Sequence, residues 1–315
     1  MALMHGQWKF MKITDKAGNK GFALPITLIV LSLLTVLSMG ISQMARQNIA
    51  KIQSRQQFLQ DELQLKNTSQ WVLYQLLTGV PDKNVKRNNS YTLPVDNTAV
   101  SYNQVQVQVQ DSAGLMGLYY YYPKRTEQLL KKLTDKQSAV KIAAQLKDWI
   151  DKDSRSSYQG MEAAGYRKTG QPMLPRNAPI RSLDELLELP AMTVALYNGS
   201  DHKTGIRDLM LAGGVAEFNI ATAPDILLGP MLGITGKKLA QIKALKKAKD
   251  WTHIREATAR MSLFSDSSPL GQAYQYRVIL TLPNGKKSRA LYQLTPSKEK
   301  PYQQKQWQYP DNDRG

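Results

Sequence analysis

The sequence predicts an α+β fold: a long N-terminal helix that begins in a membrane, a small antiparallel sheet packed against it, and a large helical domain inserted between strands. Three observations predict it. Residues 22–41 carry no charge and twelve Phe, Leu, Ile or Val side chains. Val105-Gln106-Val107-Gln108-Val109-Gln110 alternates apolar and polar without error, and Asn284-Gly285 sits between two extended runs. Between these strand signals, residues 125–261 turn to helical periodicity.

Taken in order, residues 1–21 form a basic leader, with Lys9, Lys12, Lys16 and Lys20 against Asp15. Behind it, a helix rising ~1.5 Å per residue over 22–41 matches the ~30 Å hydrocarbon core of a bilayer. Insertion gains on the order of 5 kcal/mol before the opposing contributions of Pro25, Gly40 and the hydroxyl residues. Pro25 falls in the first turn, where its missing N–H costs little. An ordinary signal peptide has an apolar region of only about 7–15 residues ending in a cleavage site. Here Ser38-Met39-Gly40 runs on without a turn through Ser42 and Gln43 to Arg46. The charged flank orients the leader toward the cytoplasm and sends the remainder across the membrane.

Residues 42–79 read as a helical stalk, with Ile49, Ile52, Leu59, Leu63, Trp71, Leu73 and Leu77 forming a loosely helical apolar stripe. Gly79 and Pro81 end it. Strict heptads are not sustained, so the distal half is expected to pack on its own domain rather than in a coiled coil. Residues 80–98 read as a surface connection, and 105–110 as a strand with one buried and one wet face. Gly114 and Gly117 break that strand. Tyr119, Tyr120, Tyr121 and Tyr122 are expected to fill core where the strand meets a new lobe.

Helices are predicted over 126–134, 136–151, 182–189, 193–197, 223–232, 235–249 and 252–259. Ser182 and Glu185 have capping-box spacing, and Thr235 is placed to cap the helix that follows it. Strands over 274–282 and 287–294 flank Pro283-Asn284-Gly285. Tyr302, Trp307 and Tyr309 mark a last edge strand before a disordered end. The domain plan is therefore a leader (1–21), a span (22–41), a stalk (42–79), the first part of a sheet (80–124), a helical domain (125–265), and the rest of the sheet with a tail (266–315).

Composition bounds the function classes. The chain has 315 residues, is 42% hydrophobic and carries a formal charge of +17. The leader's four Lys and one Asp account for +3, leaving +14 on the remainder, a surplus that favours acidic partners, phosphate or anionic lipid. With no cysteine there is no disulfide framework, thiolate nucleophile or zinc-thiolate site. His5, His202 and His253 are the only histidines and none lies in an H-E-x-x-H motif. There is no G-x-S-x-G elbow or G-x-G-x-x-G turn. Residues 233–238 fall short of a P-loop, with Lys238 where Ser or Thr must hold magnesium. Catalysis has no support.

The strongest acid cluster is Asp148, Asp151 and Asp153, with Glu162 and the carbonyl-rich loop 154–160 nearby. Closely spaced hard oxygens at a helix end are what calcium takes, although the spacing is not that of an EF-hand. Lys152 and Arg155 offer a competing neutralisation, and solvated carboxylates are the plain alternative. Residues 232–242 resemble a helix-hairpin-helix, whose glycine turn offers N–H groups to DNA phosphate. Lys243, Lys246, Lys247 and Lys249 extend that basic face, so a membrane-anchored DNA receptor is an alternative, with nucleic acid the weaker expectation because such a hairpin also serves packing.

Lys20-Gly21 followed by Phe22 and an unbroken apolar run resembles the type IV prepilin signal. The resemblance implies cleavage between Gly21 and Phe22 by a prepilin peptidase on the cytoplasmic side. It also implies Glu at the fifth mature position, where this chain has Ile26; a subunit with no predecessor has reason to discard a carboxylate buried in lipid. Four stretches together resemble the K family of type II secretion minor pseudopilins: that N-terminus, residues 146–153, residues 181–187 with 190–193, and residues 218–224. Residues 114–119 depart from the family's usual turn, and Ala163 stands where the family commonly has an acid. The resemblance implies a type IV pilin-like fold with an inserted helical domain. It implies a non-enzymatic subunit capping a periplasmic pseudopilus, anchored in the inner membrane by one span, its C-terminal domain periplasmic. Implied partners are minor pseudopilins I and J, with which it starts assembly, the major pseudopilin G, the minor pseudopilin H and exported proteins. Calcium in the helical lobe is implied as well. A minor subunit of a true type IV pilus shares the leader.

Overall fold

The computed structural model describes residues 23–79, 93–200, 203–214, 218–258, 274–295 and 299–308. The cleavage site at Gly21 and Phe22, Pro81, His202, most of the 80–98 connection and the tail beyond Gln308 lie outside them. The elements in order are α1 (Ala23–Thr78), β1 (Asp96–Tyr102), β2 (Val105–Asp111), β3 (Met116–Gly117), α2 (Pro123–Leu133), α3 (Lys136–Ile150), α4 (Ala163–Lys168), α5 (Val194–Asn198), β4 (Gly199–Ser200), β5 (Lys203–Thr204), α6 (Ile206–Leu209), β6 (Met210–Leu211), α7 (Asp225–Leu232), α8 (Gly236–Lys247), α9 (Trp251–Thr258), β7 (Gln275–Thr281), β8 (Lys287–Leu294) and β9 (Tyr302–Gln308). A 3₁₀ turn covers Leu183–Glu188. The predicted α+β class, with its long N-terminal helix and antiparallel sheet, holds.

The chain divides into two compact units between Leu63 and Gln64. In the first, α1 is long and apolar enough to cross a membrane. Its apolar side chains from Leu24 to Ile41 are each at least half exposed, so the rest of the described chain does not cover them. That fits a single-pass anchor, where lipid takes the place of a core.

The second unit begins with the last turns of α1. Leu65, Thr68, Ser69, Val72, Leu73 and Leu76 are buried there, at three- and four-residue steps, with the apolar ones packed in one cluster with Val105, Val107, Val109, Val278, Leu280 and Tyr292. The expected packing of the distal stalk on its own domain is therefore present. The sheet is antiparallel throughout, in the order β1-β2-β7-β8-β9. At the β7–β8 turn, Gly285 takes φ +84°, its N–H donates to the Leu282 carbonyl at 2.9 Å, and Asn284 Oδ1 accepts from Lys286 N at 3.1 Å. Asn-Gly is suited to this turn because only glycine enters the left-handed region without a Cβ penalty.

Strand β1 starts in the last three residues of the expected 80–98 connection and runs on to Tyr102, where no strand is expected. It pairs with β2 through a tight turn in which Asn103 and Gln104 both have positive φ, 46° and 67°. A hairpin turn of this kind usually announces itself with glycine, and none is present. Gln110 is the other departure, being 1% exposed although it belongs to the wet face. Its amide donates to the carbonyls of Asp111 and Thr222, each at 2.9 Å, so the sheet face is covered there by the helical lobe.

A second hydrophobic core joins α2, α3 and α7 through Leu129, Leu130, Ile142, Leu146, Trp149, Leu227 and Leu228. The seven predicted helical segments are all present, that over 182–189 as the 3₁₀ turn; α4 and α6, a turn or two each, are too short to show a period. Ser182 and Glu185 form the expected capping box, the Ser182 side chain accepting from the Glu185 N–H and the Glu185 carboxylate from the Ser182 N–H, and Ser182 Oγ accepts from Asp184 N as well. Thr235 stands at the N-cap position of α8 but its side chain makes no capping bond. The tyrosine cluster does not fill core: Tyr119, Tyr120 and Tyr122 are 52%, 64% and 52% exposed, and Tyr121 alone turns in, donating to Ala143 O at 2.7 Å. Strand β3 is only two residues long and pairs with β6 apart from the five-stranded sheet, and the exposed tyrosines lie between it and α2.

Candidate metal centre and lobe junction

Helix α3 carries the acid cluster. Asp135 caps its start, accepting from Gln137 N and Ser138 N at 2.9 Å, and Ala139, Ile142, Ala143, Leu146 and Trp149 bury one stripe. Asp148 sits beside that stripe and is fully buried. It accepts the Ser157 N–H at 2.9 Å and a weak bond from Ser156 Oγ at 3.4 Å, which folds loop 154–160 back over the helix end. Gly160 permits this fold: a Cβ there would lie 2.1 Å from Asp148 Oδ2.

The returning loop brings Glu162 to Asp151 and Asp153. One carboxylate oxygen from each lies within 4.8 Å of the others. Asp151 Oδ1 and Glu162 Oε1 are buried with no hydrogen-bond partner. Burial first, and the neighbouring carboxylates second, push both the Asp151 and the Glu162 carboxyls up from their usual range. Asp153 is exposed, and its Oδ1 accepts from Arg155 N at 2.8 Å. Two orphaned buried oxygens, from Asp151 and Glu162, beside the exposed carboxylate of Asp153 fit a hard divalent cation, which takes six to eight oxygens and retains water on an open side. Asp148 is not one of the three. Its oxygens are taken by the loop, so its place is behind the cluster. Among the described residues, ion pairs of the lobe lie elsewhere, at Glu127–Lys131, Arg176–Glu185, Asp225–Lys246 and Asp250–His253.

Two buried polar networks were not legible as sites. Glu185 accepts from Arg176 at 2.7 and 2.8 Å, from Trp149 Nε1 at 3.2 Å and from Arg181 N at 2.9 Å. Burial acts to raise its carboxyl, but Arg176, Arg181 N and Trp149 outweigh that and hold it below the usual range. Asp111 is the second centre, 1% exposed at the end of β2. Its Oδ1 accepts Ala113 N at 2.7 Å, and its Oδ2 accepts Asn219 Nδ2 at 2.7 Å and Thr222 Oγ1 at 2.9 Å. Gly114 lets the chains close, since a Cβ there would sit 2.8 Å from Thr222 backbone. The stretch 218–224 is thus the bolt between sheet and helical lobe.

The helix-hairpin-helix reading has less to stand on. Gly233 and Gly236 have positive φ, 66° and 57°, and Lys237 and Lys238 are exposed. Lys246, however, donates to Ala223 O and pairs with Asp225 at 2.9 Å, so part of the basic face holds α8 to the start of α7.

The family model described as type II secretion system (T2SS), protein K matches residues 104–199. No curated protein sequence matches the chain significantly. Among solved structures, a chain of the GspK-GspI-GspJ complex from the type 2 secretion system of enterotoxigenic Escherichia coli has a TM-score of 0.50 at 16% identity, over 82% of this chain and 99% of that chain. At that identity the likeness speaks for the fold, and the matched segment for the sequence. The resemblance read from the residues is borne out by both.

Proposed function

We propose that this chain, a protein K of type II secretion by its matched segment and similar to one in fold, is the minor pseudopilin that caps the pseudopilus. The sequence match over residues 104–199, which covers α2, α3 and the acid loop, carries the reading. The exposed apolar half of α1 supports it. Leu24–Ile41 offers a lipid-facing rod, and Ile49, Ile52, Leu59 and Leu63 continue it as exposed apolar side chains that neighbouring subunits can cover. The related GspK is found with GspI and GspJ. By analogy this chain joins minor pseudopilins I and J, then G and H below them, and serves export across the outer membrane from an inner-membrane anchor with its globular part in the periplasm. Ile26 in place of an acid, and a helical insertion of roughly 140 residues, the size of a domain, suit a subunit with nothing ahead of it.

Calcium belongs to this proposal as a structural ion. Asp151, Asp153 and Glu162 would hold it, with Asp148 fixing the loop behind them, and the ion would supply the positive charge that those buried oxygens lack. No reaction is assigned to it.

The leader makes the proposal testable at its first step. Mass spectrometry of the protein extracted from inner membranes of cells that contain the prepilin peptidase should give an N-terminus at Phe22. A chain beginning at Met1, or after Gly40, overturns the prepilin assignment.

A further inference from the structure

We propose that the cleft between strands β7–β9 and the helical lobe binds an extended acidic peptide segment of a second protein. The cleft measures about 390 Å³ and its walls carry Arg181, Arg207, Arg277, Arg289 and Lys305. Among the described residues that line it, Asp184 is the one acid, and its carboxylate already accepts the Tyr197 hydroxyl. A concave site with one sign of charge concentrates its field and draws a partner of the opposite sign.

Asp208 lies beside two of these cations, approaching Arg289 at 3.9 Å and acting on Arg277, whereas the side-chain hydrogen bonds of Arg277 and Arg207 go to neutral groups. Arg277 is buried, donates to the carbonyls of Arg207 (2.7 Å) and Asp208, and keeps an Nε with no partner. Burial lowers the Arg277 guanidinium to about 10, with Asp208 opposing the shift and the neighbouring Arg289 and Arg207 adding to it. Arg207 donates to the side-chain oxygens of Asn198 at 3.1 Å and Gln308 at 2.9 Å. Lys305 and Arg181 are exposed on the rim.

A peptide fits better than a small oxyanion because the remaining lining is not anion-specific. Gln275, Gln306 and Gln308 offer donors and acceptors suited to a peptide backbone, and Met210, Leu211 and Leu291 give an apolar floor. Strand β9 ends the sheet order, so an extended segment entering along it meets an edge ladder among the described residues. The site lies apart from the acid cluster and goes beyond the assembly role.

Fluorescence anisotropy on the full chain in an uncharged detergent tests this with a short rhodamine-labelled peptide of alternating glutamate and leucine. Its glutamine counterpart is expected to bind about tenfold more weakly or worse, since the carboxylates carry the recognition. The combined Arg181→Glu and Lys305→Glu variant should lose the acidic peptide. Lys168→Glu with Lys238→Glu, which makes the same change in net charge away from the cleft, should keep it. Equal binding of the two peptides, or equal loss in both variants, overturns the proposal. So does displacement by inorganic phosphate at the concentration that the unlabelled acidic peptide needs, which would make this a small-oxyanion site.

Discussion

Replacing Asp111 by alanine is expected to destabilise the folded head by roughly 3–5 kcal/mol, because it strands several buried donors at once. Asn219 Nδ2, Thr222 Oγ1 and Ala113 N all give their protons to this one carboxylate, and the site is closed to water. Asp111→Asn should cost less, since an amide oxygen still accepts, but its NH2 would face donors. Denaturant unfolding of the full chain in detergent, followed by tryptophan fluorescence, measures both. A cost for Asp111→Ala below about 1 kcal/mol, the worth of an ordinary hydrogen bond, would mean that 218–224 does not bolt sheet to lobe.

The second large effect is expected at Gly160. An alanine Cβ would lie 2.1 Å from Asp148 Oδ2 and 2.8 Å from its Cγ, so the fully buried carboxylate must leave the Ser157 N–H or the loop must lift. Overpacking and a lost charge-assisted bond together cost about 2–4 kcal/mol. The consequence reaches the proposed calcium site, because the same fold of the loop brings Glu162 to Asp151 and Asp153. Wild-type protein should therefore lose thermal midpoint on addition of a calcium chelator and recover it with calcium, whereas Gly160→Ala should start lower and respond little to either. A wild-type midpoint unmoved by the chelator contradicts a structural ion. A Gly160→Ala midpoint equal to wild type contradicts the packing argument.

How far the sequence could be read depended on where each element's information resides. The apolar half of α1, the alternation of β2 and the Asn284-Gly285 turn are local signals, set by a period or a single φ, and each was legible. Strand β1 was not, because its turn at Asn103-Gln104 lacks glycine and its register is broken between Asp96 and Ala99. The short parallel pairing of Met116 with Met210 joins residues far apart in sequence and leaves no periodic trace. The tyrosine cluster misled for a related reason: burial of an aromatic depends on what passes above it, which composition does not encode.

At the acid cluster, residue type and spacing grouped Asp148, Asp151, Asp153 and Glu162 as one ligand set, and the structure brings together the last three. Asp148 was misassigned because it borders the stripe of Leu146 and Trp149, where a buried carboxylate must find N–H donors, and it takes that of Ser157. The Asp111 junction and the basic cleft had no such signal. Both are assembled from β2, α6 and β7–β9 together with chain 218–222, and only the folded chain brings those side chains together.

Position along the fibre decides the matter. With the chain carrying a single electron-dense label on its globular part, and pseudopili sheared from cells overproducing the major pseudopilin, electron micrographs should show one label at one end of each fibre. Labels spaced along the shaft would contradict a capping subunit, whatever the fold.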